Sequence, residues 1–287
     1  VLIQLINAVL GKRTTWRLGR ALYMSARGDV SNDISTNGEL MVQRAVVAGW
    51  RQTYGKKEKL VIFDVGANEG DWSGPLLNTL STSQVSSSLE LHMFEPVPDT
   101  LAILQRRLAN AGNGVALHYH QLALSSAEGT ELIYLLGASG INSLHPDSVS
   151  EGRSAISISM TTASQFCMTN AVSEIHLMKC DTEGHDMEVI QGAMPLLQHG
   201  RIKSLQFEYN HCWINSRHFL KDVFDAIDGL PYRIGKIQSD HIELYDKWHP
   251  ELERFFEANY LIVHHDAVPW FTVHETVFDR YNTPSTE

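Results

Sequence analysis

Cysteine is scarce in this chain of 287 residues: Cys167, Cys180 and Cys212 are its only three. That number is small and odd, which excludes a disulfide framework and leads to the expectation of a reducing, cytoplasmic setting. Long apolar runs are missing as well. None approaches the roughly 18 residues that a membrane-spanning helix needs. Val1 to Leu10 lacks preceding basic residues and a small-residue cleavage site, so it does not read as a secretory signal, and residues ahead of Val1 are left open. No Cys or His pair shows zinc-ligand spacing, which argues against zinc. There is no internal repeat.

Positive charge is lacking over most of the chain. Residues 1–59 carry ten Lys or Arg against four Asp or Glu, and the remainder thirteen against twenty-nine. An acidic body argues against a nucleic acid lying across it, because phosphate contacts need a basic groove. The basic amino-terminal segment permits peripheral contact with an anionic membrane or an acidic glycan. The simpler reading makes Lys12, Arg13, Arg17 and Arg20 the solvated face of a helix. A homo-oligomer is compatible with the sequence.

The most informative stretch is Phe63-Asp64-Val65-Gly66-Ala67-Asn68-Glu69-Gly70, which follows the apolar run Leu60-Val61-Ile62. A buried strand breaks here into a glycine turn at a helix start. Gly66 and Gly70 allow backbone to approach a ligand without an intervening Cβ, and the amides of a helix N-terminus offer donors. Asp64 would repel a pyrophosphate but could pair with an α-ammonium group. Asn68 also stands where a dinucleotide turn needs its second glycine. The turn thus points away from NAD and towards S-adenosylmethionine.

A second apolar run, Leu89 to Phe94, ends in Glu95-Pro96, with Glu95 lying 25 residues after Gly70. An acid at that separation is suited to accept hydrogen bonds from both ribose hydroxyls. A third run, Glu174 to Cys180, leads into Asp181-Thr182-Glu183-Gly184-His185. In an open parallel sheet ligands bind outside the carboxyl ends of strands, which is where these acids and this histidine fall.

Taken together, Asp64 to Gly70, Phe94-Glu95-Pro96 and Lys179 to His185 resemble the FkbM family of S-adenosylmethionine-dependent O-methyltransferases. Leu122-Ala123-Leu124-Ser125 resembles that family's segment after the third strand, Asn142-Ser143-Leu144 its polar loop, and Gln206 to Asn210 the end of its fifth strand. The resemblance covers roughly residues 27 to 210. Cys180 stands where the family usually has an aliphatic residue, a small change because Cys behaves as a small hydrophobe. The resemblance implies an α/β, Rossmann-like class I methyltransferase fold, with a mostly parallel seven-stranded sheet and helices on both faces. It also implies a cofactor site built from Asp64, Gly66, Asn68, Gly70, Glu95, Ala123, Asp181 and Glu183.

Residues 1–58 read as an amino-terminal helical extension and 59–287 as the Rossmann-like domain. Two short helices are expected over 1–10 and 16–24, and a longer one from Glu39 to Tyr54. Extra strands are expected at Thr130 to Leu136 and Ala155 to Thr161, flanking the loop Gly137 to Gly140. Ser81 to Ser88 reads as a polar loop. A terminal hairpin is expected at Tyr232 to Ile237 and Ile242 to Tyr245, and a last strand at Asn259 to His264.

Methyl transfer to a hydroxyl needs alignment of the oxygen and a base for its proton. The candidates are His211, His185, Asp181 and Glu208. Histidine is best matched to neutral pH, and His211 is preferred because it lies on a loop after the fifth strand. His118 and His120 alternate on one strand face and have no partner in sequence. Asp181, Glu183 and Glu208 could hold Mg²⁺, but no spacing demands a metal and the metal-free reading is favoured. The acceptor is expected to be a small molecule or a glycan. FkbM-like enzymes methylate hydroxyls of macrolides and of sugars. A sugar acceptor is preferred; Trp72 and Trp213 could face a pyranose ring, or be core or part of an adenine wall.

Overall fold

The computed structural model describes residues 2–29, 32–55, 58–82, 89–111, 114–135, 142–144 and 154–286. The chain opens with helix α1 (Leu2–Ala26) and helix α2 (Glu39–Tyr54). It then alternates through β1 (Leu60–Val65), α3 (Ser73–Thr82), β2 (Leu89–Phe94), α4 (Pro98–Leu108) and β3 (Ala116–His120). A small insertion follows: β4 (Ala123–Leu124), β5 (Gly129–Leu135), β6 (Asn142–Ser143) and β7 (Ala155–Thr161). The alternation resumes with α5 (Ala163–Thr169), β8 (Leu177–Cys180), α6 (Asp186–Gln198) and β9 (Ser204–Tyr209). Helices α7 (Trp213–Ser216) and α8 (Leu220–Ile227) precede β10 (Tyr232–Ile237), β11 (Ile242–Tyr245), β12 (Ala258–His264), β13 (Val273–Phe278) and β14 (Pro284–Thr286).

All six residues of β1 are buried, as a strand covered on both faces requires. It pairs in parallel with β2 on one side and β8 on the other. Strand order therefore reverses at β1, and a crevice opens at its carboxyl end. The sheet runs β14-β13-β11-β10-β12-β9-β8-β1-β2-β3. The five strands from β3 to β9 are parallel, while β12 runs antiparallel between β9 and β10. These seven match the number of strands that the resemblance implies, and β11 is a further strand expected from the sequence. Three more, β11, β13 and β14, extend the sheet to ten. The last two were not legible: β13 carries no apolar alternation, and β14 is three residues long. The expected hairpin of β10 and β11 forms, but it is not terminal, since β12 folds back between β10 and β9.

Period-two alternation divides each inner strand between two cores. Leu89, Leu91 and Met93 of β2 pack with α2, α3 and α4. Phe63 and Phe94 face the other way, towards Phe166 of α5 and the buried side of α6. Val42, Val46, Val47 and Trp50 of α2 lie in the same cluster as Leu60 and Ile62, so the core is continuous across residue 58. Burying each of these side chains stabilises the fold by about 1.5–3 kcal/mol. What extends from the body is α1. Its two expected segments join at Gly11, whose φ of 73° breaks the helical path, and Lys12, Arg13, Arg17 and Arg20 are exposed.

The insertion forms a second sheet, β4-β7-β5-β6, with a small core of Val97, Ala123, Ile133 and Ile158. Ser81 and Thr82 end α3. The rest of that polar segment and the Gly137 to Gly140 loop lie outside the described residues. No described helix is long and apolar enough to cross a membrane.

Candidate active site

A cavity of about 330 Å³ lies at the carboxyl ends of β1, β2 and β8, where the strand order reverses. One part of its wall is apolar: Phe94 and Pro96 from the end of β2, then Ala123, Leu124, Ile133 and Ile158 from the second sheet. The lining also carries Glu39, Glu95, Lys179, Asp181, Glu183 and His185.

The glycine turn is built differently from the expectation. Gly66 lines the cavity at φ 75°, and a Cβ there would lie 2.0 Å from the carbonyl oxygen of Asp181. Its need for glycine thus comes from the close approach of the β1 and β8 ends. Gly70 lies off the cavity wall, and a Cβ on it would meet Leu104 at 2.7 Å, so this position packs the turn against α4. Nor are the amides of Gly66, Ala67 and Gly70 free donors. Gly66 and Ala67 N–H both donate to the Phe94 carbonyl at 3.0 Å, and Gly70 N–H donates to Ala67 at 2.8 Å.

Asn68 N–H donates to Glu95 Oε2 at 3.1 Å, and Val97 N–H to Glu95 Oε1 at 2.9 Å. Each carboxylate oxygen keeps acceptor capacity beyond its one amide. Burial pushes the Glu95 carboxyl above its usual range, and the two amides oppose that shift. The side chain is 6 % exposed and lies on the cavity wall.

Asp64 does not reach the cavity. It is fully buried, accepts a hydrogen bond from Ser73 Oγ at 2.6 Å, and lies 3.5 Å from Lys179 Nζ. The pairing with a ligand's α-ammonium expected from the sequence is replaced by an ammonium of the chain, because Lys179 stands opposite Asp64 in the β1–β8 register. Lys179 Nζ also lies 3.3 Å from Asp181 Oδ2. Burial alone disfavours its charge, but the carboxylates of Asp181, Asp64 and Glu39 outweigh that and hold the ammonium above the usual lysine range.

The acids beyond β8 sit in one another's field. Burial, then the charge of Asp181, raises Glu183 to about 7 against an opposing pull from Lys179. The same two causes raise Asp186, buried in the first turn of α6, to about 7. Glu208 is pushed well above its usual range by burial, then by Asp181 and Asp186. It lies behind the cavity wall, where the side-chain amides of Asn32 and Asn210 donate to it at 2.7 and 2.8 Å. Among the described residues, Asp181, Glu183 and Glu208 do not converge to metal-ligand spacing.

The two histidines separate clearly. His185 is on the wall, with Nε2 2.9 Å from Ser125 Oγ and Nδ1 3.6 Å from Glu188. His211, preferred on sequence grounds, is exposed and off the wall, with Nε2 4.0 Å from Cys212 Sγ, which itself lies 3.9 Å from Glu183 Oε2. For Trp213 the core alternative holds. It is fully buried and donates through Nε1 to the Glu208 carbonyl at 2.8 Å, so it faces core and no sugar. Trp72 does line the cavity.

The sequence reading missed Asn32 and Glu39, both on the wall. Glu39 accepts hydrogen bonds from Asn37 Nδ2 at 2.8 Å and Gln206 Nε2 at 2.5 Å. Its local signal, an acid in the first turn of a helix, is the one that dipole stabilisation also produces, so nothing nearby in sequence marks it.

Residues 64–246, more than half of the chain, match the family model of the methyltransferase FkbM domain. Solved structures similar to this chain include cofactor-bound Rv0187 from MTB, at 11% identity and a TM-score of 0.45 over 92% of this chain and 95% of that one. Another is magnesium protoporphyrin IX methyltransferase from Synechocystis PCC 6803 with bound SAM, at 12% identity and a TM-score of 0.39 over 79% and 80%. No curated protein matched the sequence. The family match spans the glycine turn, Glu95 and the acids after β8 that line the cavity, and the chain belongs to the FkbM family of S-adenosylmethionine-dependent methyltransferases.

Proposed function

We propose that the chain methylates a hydroxyl group of a sugar in a glycolipid, polysaccharide or related glycan. The observation that carries this reading is a cavity lined both by apolar side chains and by the carboxylates of Glu39, Glu95, Asp181 and Glu183. Those two kinds of lining fit the two halves of S-adenosylmethionine. Glu95, held by two amides, would accept from the ribose hydroxyls. Phe94, Ala123, Leu124 and Ile158 would cover the adenine, while Glu39, Asp181 and Glu183 would face the cationic half. When bound, the cofactor supplies a methyl group on a positively charged sulfur, already a strong electrophile.

The protein's own tasks are to orient an acceptor oxygen and remove its proton. Glu183 is the best-matched proton acceptor. It lies on the wall, and burial beside Asp181 brings its carboxyl to about 7, where the ionised form is available and still basic. Asp181 is tied to Lys179 and serves to position. Trp72, which lines the cavity, is an aromatic partner of the kind a sugar uses. A macrolide acceptor is the alternative, which the apolar wall of the second sheet would favour.

The purified protein with methyl-labelled S-adenosylmethionine should label members of a saccharide panel; label passing only to macrolides overturns the sugar reading. Glu95→Ala removes charge-assisted hydrogen bonds worth about 1.5–3 kcal/mol each. Titration calorimetry should show S-adenosylmethionine affinity falling at least about tenfold, and unchanged affinity removes Glu95 from the ribose site.

A further inference from the structure

Away from the cavity's acids, β2 and β3 place a second group of ligand-type side chains together. The strands run parallel with His92 opposite His118 and Phe94 opposite His120. Side chains two apart share a face, so Glu90 and His92 meet His118 and His120. The His92 and His118 rings stack with centroids 4.5 Å apart, and Phe166 of α5 meets His92 and His120 edge-on. One donor atom each from Glu90, His92 and His118 lies within 4.8 Å of the others.

Two of these donors lack partners. His92 is 5 % exposed, and neither its Nε2 nor that of His118 has a hydrogen-bond partner, although both atoms are buried. Leaving such an atom unsatisfied costs free energy. The remaining contacts prepare the group for a ligand. His92 Nδ1 lies 3.1 Å from His120 Nε2, and a proton donated there leaves the Nε2 lone pair of His92 available. Lys59 engages Glu90 Oε1 at 2.5 Å, while Oε2 lies 3.9 Å from His92 Nε2.

We propose that Glu90, His92 and His118 bind one divalent transition-metal ion, with zinc the best-matched cation. Two imidazole nitrogens and one carboxylate oxygen suit zinc and disfavour the oxygen-seeking magnesium and calcium. Bonds of about 2.1 Å put the donors about 3.4 Å apart, so the cluster contracts on binding. The ion would clamp the edge strand β3 to β2, the strand that carries Phe94 and leads into Glu95. Local spacing concealed the site because its third ligand comes from the neighbouring strand.

The full chain, treated with chelator and titrated with zinc alone, should bind one ion per chain by calorimetry. Its Tm should rise by about 5 °C at zinc a hundredfold above Kd. Cobalt in place of zinc should give visible absorption of the low-symmetry, low-coordinate type. His118→Gln and Glu90→Gln should each lower zinc affinity at least about tenfold and abolish the cobalt bands. Both positions are partly exposed, and Glu90→Gln serves if His118→Gln fails to fold. His274→Ala, at the separate pair of His241 and His274 with rings 4.1 Å apart, should leave binding unchanged. Absence of saturable zinc binding, cobalt bands that survive in a folded Glu90→Gln or His118→Gln variant, or loss of binding in His274→Ala overturns the proposal.

Discussion

Glu183→Gln should lower kcat by about 10²–10⁴-fold while S-adenosylmethionine still binds. The amide keeps the shape of the side chain and removes its capacity to take a proton. In the unaltered protein kcat/KM should rise with pH through about 7, because the ionised carboxylate is the active form. In the variant that step should vanish. Stability moves the other way. A carboxyl whose pKa is higher folded than unfolded loses stability as pH rises through the folded value. Glu183→Gln escapes that loss, so its Tm should exceed that of the unaltered protein at pH 8, with the difference shrinking below pH 5. A variant with undiminished rate and the same pH profile would remove Glu183 from the mechanism and leave His185, the histidine on the wall, as the proton acceptor.

Lys179→Met should destabilise the fold by about 3–5 kcal/mol, the cost of leaving a buried charge without its partner. Asp64 is fully buried, and with Lys179 gone its hydrogen-bond donor among the described residues is Ser73. Removing the ammonium raises the Asp64 carboxyl further above its usual range, so the variant regains stability as falling pH protonates it. The deficit should therefore be smaller at pH 5 than at pH 8. Adding Asp64→Asn removes the orphaned charge and should recover much of the loss, a coupling that urea denaturation of the two single variants and the double variant measures. A Tm unchanged in Lys179→Met, at both pH values, would show that the ion pair carries no stability.

Where the chemistry is local, the sequence was readable. The break from Val65 into Gly66, the acid at Glu95 and the acids after Cys180 are marked by neighbours within a few residues, since a strand end and its loop are adjacent in chain as well as in space. Ala123 was legible only through the family resemblance, because the second sheet that brings it to the wall pairs it with β7, and the match is Met160. Asn32 and Glu39 reach the same cavity from a segment that looked like part of a separate extension.

What the sequence determined by itself is the alternation of strand and helix, the position of the glycine turn, and the acids at three strand ends, all of them properties of short-range pattern. Only the tertiary structure decided what those acids do. The β1–β8 register sets Lys179 against Asp64, which removes Asp64 from the ligand's reach. His211 stands exposed and off the wall, and burial beside Asp181 brings Glu183 to about 7. Charge and desolvation act through space over a few ångströms, between residues such as Glu39 and Gln206 that stand 167 positions apart, so no window along the chain contains them.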